Sequence, residues 1–222
     1  MKSFSIEDYR KLQTSGILSV PLTDQGWDEY LAFMQEIEVD YEEQARASLA
    51  YQKEGLLAML PSEFHPYVQD GTINRPYTPP HLAKLIGDWN EALHERIAKQ
   101  GQKARAAYEA IKSMLPPGAV ALYEYSLHDA HFVSGQQSAD RVVLELDLQR
   151  SSEGDRVQLI FTGVTVAELP AESDQLDWYG EEFELTENGF LIRILFIQNG
   201  GEHGDFVEIQ IGAKDVIFDL GL

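Results

Sequence analysis

Cysteine is absent from this chain of 222 residues. Without thiols the protein has no disulfide framework, no thiolate zinc site, no iron–sulfur cluster and no cysteine nucleophile. Basic residues are also scarce, since 17 Lys and Arg stand against 37 Asp and Glu and give a formal net charge of -20. A surface of this sign repels phosphate backbones and anionic lipid, so we expect neither a nucleic-acid partner nor a membrane partner.

Long apolar runs and targeting signals are missing as well. No segment approaches the roughly 18 apolar residues of a membrane span. The start of the chain, MKSFSIEDYRKLQ, turns acidic within seven residues and lacks the apolar stretch of a secretory signal. The glycine-rich phosphate-binding motifs and the G-x-S-x-G motif of serine hydrolases are also absent. These observations predict a soluble cytoplasmic protein without a nucleotide-phosphate or serine-hydrolase motif.

The composition is that of a globular protein, and the charge is unevenly placed. Hydrophobic residues make up 44% of the chain and charged residues 24%. Residues 1–115 hold 12 basic and 17 acidic residues, a net of -5, whereas residues 116–222 hold 5 and 20, a net of -15. The acidic C-terminal half is compatible with a basic protein partner or with divalent cations. It is equally compatible with a surface that only keeps the protein soluble.

The period of the apolar residues changes near Pro116. Before it they recur at helical spacing, and after it they alternate with a period of two. We therefore predict an α+β protein in which long helices in residues 1–116 pack on a C-terminal antiparallel β-meander in residues 117–222. The two regions form either separate domains or one integrated domain.

Capping and breaking residues indicate where the helices begin and end. A first short helix is predicted to begin at Ser5, and a second, long one near residues 23–24, reaching Lys53. A turn-rich connector follows. The next helix is predicted to begin at Pro80 and to be bent or broken at Gly101.

Strands are predicted where apolar residues alternate. The predicted strands are residues 141–148, 157–161, 181–186, 190–198, 206–211 and 215–218. Asn188-Gly189 and Asn199-Gly200 are typical of hairpin turns. The strand from Phe190 is apolar on both faces, which places it in the middle of a sheet covered on both sides.

Several short motifs along the chain carry a family resemblance. They are Phe4–Tyr9 (FSIEDY), Phe64–Pro66 (FHP), Asp70-Gly71, Leu127–Ala130 (LHDA), Phe161–Val164 (FTGV) and the acidic stretch around Trp178-Tyr179. This arrangement resembles the uncharacterised bacterial family DUF4085 over nearly the whole length. The resemblance implies a cytoplasmic bacterial protein and brings no activity with it. Similar Leu-His-Asp-Ala openings of sheets occur in immunity-type proteins, which is an analogy of fold only.

His128, Asp129 and His131 form the densest group of side chains that suit a metal ion. Imidazole and carboxylate ligands fit zinc, iron or manganese. On a regular strand His128 and Asp129 point to opposite faces, so a shared site requires a turn or a bulge. The structural alternative is that Asp129 caps a local turn by accepting from nearby amides while His128 fills a half-buried position.

The stretch from Asp174 to Glu187 concentrates carboxylates around two aromatic residues. Trp178 and Tyr179, with Glu181 and Glu182, are the candidate partner-binding residues, because aromatic anchors with a charged rim are typical of protein interfaces. A solvated strand edge protected by charge is the simpler alternative.

These patterns lead to two hypotheses about function. The first is a non-enzymatic protein-interaction module of immunity or regulatory type, without a cofactor, whose acidic β half binds a basic protein. The second is a metal-dependent hydrolase that uses His128, Asp129 and His131 with a divalent transition metal.

Overall fold

The computed structural model of the chain describes residues 5–18, 21, 23–148, 155–170, 175–198 and 205–219. Within these residues the α-helices are α1 (Ile6–Ile17), α2 (Asp24–Glu36), α3 (Tyr41–Met59), α4 (His65–Asp70), α5 (Pro80–Ile111) and α6 (Pro117–Glu124). Two 3-10 turns, Ser62–Phe64 and Lys112–Met114, precede α4 and follow α5. The turn predicted at Asn199-Gly200 lies outside the described residues, as does Asp174.

The predicted start of α1 is confirmed. Ser5 is the N-cap residue, and its hydroxyl accepts from the Asp8 amide at 3.1 Å. The same hydroxyl donates to the Asp8 carboxylate at 2.8 Å, which gives a second contact between the two residues.

The single long helix predicted from residues 23–24 to Lys53 is wrong, because the chain breaks between α2 and α3. Glu38 adopts a left-handed backbone with φ 58°, which no helix interior allows. Asp40 then caps a new helix by accepting from the Glu43 amide at 3.0 Å. Two helices that meet at a turn replace the continuous apolar stripe that the spacing indicated.

Two further helix predictions differ from the structure. Helix α5 continues through Gly101 for 32 residues, so the helix does not break there. The Pro116-Pro117-Gly118 segment, expected to open the β region, instead begins α6, since proline is well accommodated in the first turn of a helix. The helical part of the chain therefore extends beyond residue 116, and the first strand begins at His131.

The second half forms one antiparallel sheet. Its strands are β1 (His131–Gln137), β2 (Arg141–Asp147), β3 (Arg156–Thr162), β4 (Val166–Glu168), β5 (Leu176–Thr186), β6 (Gly189–Gln198), β7 (Phe206–Ala213) and β8 (Asp215–Asp219). The spatial order of the described strands is β4-β7-β6-β5-β1-β2-β3-β8. The α+β class with helices first and antiparallel strands second is thus confirmed.

The topology is more than a simple meander. Strands β1 to β3 and β5 to β7 each form a meander, and the two are joined by pairing of β1 with β5 at His131 and Asp177. The chain turns a corner between β3 and β4 and another between β7 and β8. At these corners the Lys214 amide donates to the Thr162 carbonyl at 2.9 Å, and the Thr165 amide donates to the Gly212 carbonyl at 2.8 Å. The strand pairings and these two corner bonds therefore connect the two ends of the strand order, and we call this arrangement a closed pairing circuit.

Strand β6 occupies the central position that its apolar sequence predicts, between β5 and β7. On one face Phe190, Ile192, Ile194 and Phe196 are fully buried. Leu191, Leu195 and Ile197 on the other face are half-buried, so cover on that side is partial.

The chain divides after Gln100 into two compact units, each with its own core. We call residues 4–100 the helical unit and residues 101–222 the sheet unit. The core of the helical unit contains Leu56, Phe64, Val68, Leu82 and Ile86. The core of the sheet unit combines the inward faces of the strands with Ala119 and Leu122 of α6.

Candidate functional site

The loop that leads into β1 meets the start of β5 and forms a tight corner. The Asp129 amide donates to the Trp178 carbonyl at 2.9 Å, and the Trp178 amide donates to the Ala130 carbonyl at 2.8 Å. Between these bonds Asp129 has φ 68°, a left-handed conformation that is uncommon for any residue with a side chain. We call His128, Asp129 and Tyr179 the 128–129 corner.

The His128 and Asp129 side chains of the corner face solvent, whereas Tyr179 is half-buried. The Asp129 carboxylate lies 2.9 Å from Nδ1 of His128, and the two side chains are 83% and 53% exposed. The alternative of turn capping is corrected here: among the described residues Asp129 contacts the neighbouring ring rather than the turn amides, and His128 is exposed rather than half-buried.

A β-bulge in β5 determines which side chains join the corner. Trp178 pairs with Phe196 and Gly180 pairs with Leu195, so the register shifts by one residue at Tyr179. Strict alternation would put Trp178 and Glu181 on opposite faces. The bulge brings them to the same face, directed toward the core.

Trp178 belongs to the hydrophobic core of the sheet unit. Its side chain is 1% exposed and contacts the Phe196 ring edge-to-face at 5.5 Å between centroids. Its Nε1 donates to the Glu181 carboxylate at 2.7 Å. In this structure Trp178 is therefore inaccessible to a partner, contrary to the role expected from the sequence.

Glu181 carries an unusual carboxyl group. Burial raises its pKa from the ordinary value of 4.5 to about 7, against the opposing effects of the Trp178 hydrogen bond and the charge of His128. The carboxyl group therefore binds and releases a proton near neutral pH. It lies on the core side of the 128–129 corner. The sequence predicts Glu181 as a rim charge, and only the bulge explains its burial.

Tyr179 links the corner to the sheet. Its ring lies 5.3 Å from the His128 ring and 5.4 Å from the Phe206 ring, measured between centroids. Burial and the nearby charge of Asp129 raise the pKa of its hydroxyl, so the side chain stays neutral at physiological pH. The result is an aromatic pair, His128 and Tyr179, beside an exposed carboxylate.

Much of the remaining acidic stretch is engaged within the sheet. Asp177 contacts Nδ1 of His131 at 2.9 Å, and Glu184 forms an ion pair with Arg193 at 3.0 Å. Glu182 lies opposite Arg193 in the β5–β6 register. These acids match the description of a structured strand surface better than that of a continuous docking rim.

The structure does not bring His128, Asp129 and His131 together as a ligand set. His128 contacts Asp129, whereas His131 contacts Asp177. In the part of the chain that the structure describes, no group of three or more His, Asp or Glu side chains is placed to hold a metal ion.

Fold and corner define the class: an acidic α+β protein with a helical unit followed by an antiparallel sheet unit that closes its own pairing circuit. Residues 3–202 match the family described as "Protein of unknown function (DUF4085)", and the chain belongs to this family, as the resemblance predicted. No curated protein and no solved structure matches the chain. Among the described helices, none combines the length and apolarity needed to cross a membrane.

Proposed function

We propose that this protein is a non-enzymatic interaction module whose acidic sheet unit docks a basic protein at the 128–129 corner. The observation that carries the proposal is Asp129, a residue held in the left-handed region with its carboxylate 83% exposed. Left-handed backbone costs most residues with a side chain about 1–2 kcal/mol, and Asp is one of the few residue types that adopt it as single residues. Such strain is concentrated at functional positions, where the surrounding structure holds it.

The backbone bonds to Trp178 make the presentation of Asp129 rigid. A rigid group loses little conformational entropy when a partner binds, which favours affinity. Tyr179 takes the place of Trp178 as the aromatic anchor, because it lies at the bulge beside the exposed His128 ring. Tyrosine is among the residues that contribute most to interface energies.

Charge complementarity supports a basic partner. The C-terminal half of the chain carries a net of -15, so it attracts a basic protein over a distance before contact. An immunity or regulatory protein would likewise act by binding its basic partner in a fixed ratio and covering the partner's surface. The metal-dependent hydrolase has no assembled ligand set among the described residues, and the corner supplies no observation in its favour.

A photo-crosslinking experiment tests the docking surface. The crosslinking amino acid p-benzoylphenylalanine replaces His128, which keeps an aromatic ring against Tyr179. The same amino acid at Asp140, an exposed acidic position in the β1–β2 turn, is the matched control. Irradiation in lysate of the native host should yield a basic protein crosslinked from position 128 but not from position 140.

Two substitutions in the position-128 background sharpen the test. Asp129→Lys reverses the exposed charge and Tyr179→Ala removes the anchor, and each should reduce the crosslinked product by about tenfold. Identical products from positions 128 and 140, or a product indifferent to both substitutions, would contradict the proposal.

A further inference from the structure

Helix α2 of the helical unit leaves an apolar stripe uncovered. Tyr30 and Phe33 of α2 and Ile37, its C-cap residue, follow one another at spacings of three and four residues, and they are 36%, 53% and 48% exposed. The adjacent face of the helix buries Trp27 and Met34 in the helical unit. The stripe extends from Tyr30 to Ile37, a rise of about 10 Å along the helix axis.

The stripe is supported by packed aromatic rings. The Trp27 ring lies 6.0 Å from Tyr30 and 5.4 Å from Tyr41, and Tyr30 lies 5.5 Å from Tyr41, all edge-to-face. Tyr77, 50% exposed, lies 6.5 Å from Trp27 and donates its hydroxyl hydrogen bond to Asp28 at 2.8 Å. The exposed rings therefore sit on a fixed base, as a preformed contact surface requires.

The charged residues on α2 beside the stripe are all acidic. Between Lys11 and Arg46 the chain contains eight Asp and Glu and no Lys or Arg. At 100° per residue Glu29 and Glu36 fall 40–60° from Phe33 on α2, so they flank the stripe directly. Both side chains are exposed, and within the part of the chain that the structure describes neither is paired with Lys or Arg.

We propose that the α2 stripe, Tyr30, Phe33 and Ile37 with the flanking acids, docks a basic amphipathic helix of a partner protein. An exposed apolar ridge two helical turns long matches the apolar face of such a helix. Lys and Arg beside that face complement Glu29 and Glu36. A second copy of this chain would set acid against acid, and anionic lipid would be repelled in the same way.

This inference concerns a different unit from the proposed function. It uses residues of α2 in the helical unit, whereas the 128–129 corner lies in the sheet unit. Either surface can be shown to bind or not to bind without reference to the other.

Fluorescence anisotropy with a defined peptide tests the inference. The probe is a dye-labelled peptide of 14 residues, built from Leu and Lys at helical spacing, and a peptide of the same composition in scrambled order controls for charge alone. The patterned peptide should bind the full chain at least about tenfold more tightly than the scrambled one. Phe33→Ser with Ile37→Ser should remove most of that difference, again about tenfold in Kd.

Matched variants separate the stripe from general surface properties. Ile217→Ser removes an apolar residue that is 53% exposed on β8, and it should leave the Kd within about twofold. Glu29→Gln with Glu36→Gln should weaken peptide binding and reduce its dependence on salt. The control is Glu54→Gln with Glu63→Gln, which removes two exposed acids elsewhere in the helical unit and should have a smaller effect on both. Circular dichroism confirms that each variant is folded.

Three results would overturn the inference. They are equal binding of the two peptides, equal losses from Phe33→Ser with Ile37→Ser and from Ile217→Ser, and a dimer of the unmodified chain that only the α2 substitutions dissolve. The last result would assign the stripe to a second copy of this chain.

Discussion

The carboxyl of Glu181 gives the sheet unit a residue-level dependence on pH. Its pKa is about 7 in the folded protein, because burial disfavours the charged form, against 4.5 in the unfolded chain. Between pH 4.5 and pH 7 the folded state binds a proton that the unfolded chain releases. The contribution of Glu181 to the free energy of unfolding is therefore full below pH 4.5 and is lost as the pH rises to 7. Glu181→Gln cannot ionise and keeps an acceptor for the Trp178 N–H. The variant should match the wild type near pH 4.5 and exceed it by about 3 kcal/mol at pH 8.

Urea unfolding of both proteins at several pH values measures this difference. Glu182→Gln, on the opposite face of β5, removes one negative charge without touching Trp178 and serves as the control. A constant difference between Glu181→Gln and wild type from pH 4.5 to 8 would contradict the assigned burial of the carboxyl.

Whether the position of a site residue could be predicted from the sequence depended on the local backbone geometry more than on the residue type. The sequence identified His128, Asp129, Tyr179 and Glu181 as notable, and the structure brings these side chains near one another. The sequence alone does not reveal the bulge at Tyr179. One inserted residue moves every following side chain of the strand to the opposite face of the sheet. Trp178 was consequently expected at an interface although it lies in the core.

At the scale of elements, Gly118 fixes how α6 packs on β8. A Cβ at this position would lie 1.6 Å from the Val216 carbonyl oxygen, a backbone atom that cannot move aside without shifting the strand. Gly118→Ala should therefore destabilise the protein by about 3 kcal/mol. Gly16→Ala is the control, since a Cβ on α1 there meets nothing within 4 Å and should stabilise by about 0.5–1 kcal/mol. Similar thermal midpoints for the two variants would disprove the close approach.

The success of element prediction followed the strength of the local pattern. Strand β2 alternates cleanly and is confirmed, and the predicted hairpin between β5 and β6 is also confirmed, with Glu187 and Asn188 as its loop residues and Gly189 already paired with Thr186. Strand β1, with Gly135 and Gln136 in its polar half, has no such alternation and was not predicted. The break before α3 depends on one left-handed residue, Glu38, which helical spacing cannot reveal.

At the scale of the whole molecule, the corners of the sheet arise from contacts between residues far apart in sequence. The bonds that join Thr162 to Lys214 and Thr165 to Gly212 close the circuit of strands. Each strand taken alone predicts only antiparallel neighbours. The α+β class was therefore predictable from periodicity, whereas the strand order was not.

The net charge of -20 should make the stability of the whole molecule depend on ionic strength. Self-repulsion destabilises a compact state of high net charge, and salt screens it because the Debye length falls from about 30 Å at 0.01 M to about 3 Å at 1 M. At pH 7 the thermal midpoint should rise by about 2–4 °C between low and moderate sodium chloride, equivalent to about 1 kcal/mol for a chain of this size. At pH 4.5, the sequence pI, the net charge is near zero and the rise should disappear. Differential scanning calorimetry at both pH values measures the effect, and an equal rise at pH 4.5 and pH 7 would show that the salt acts on hydration rather than on self-repulsion.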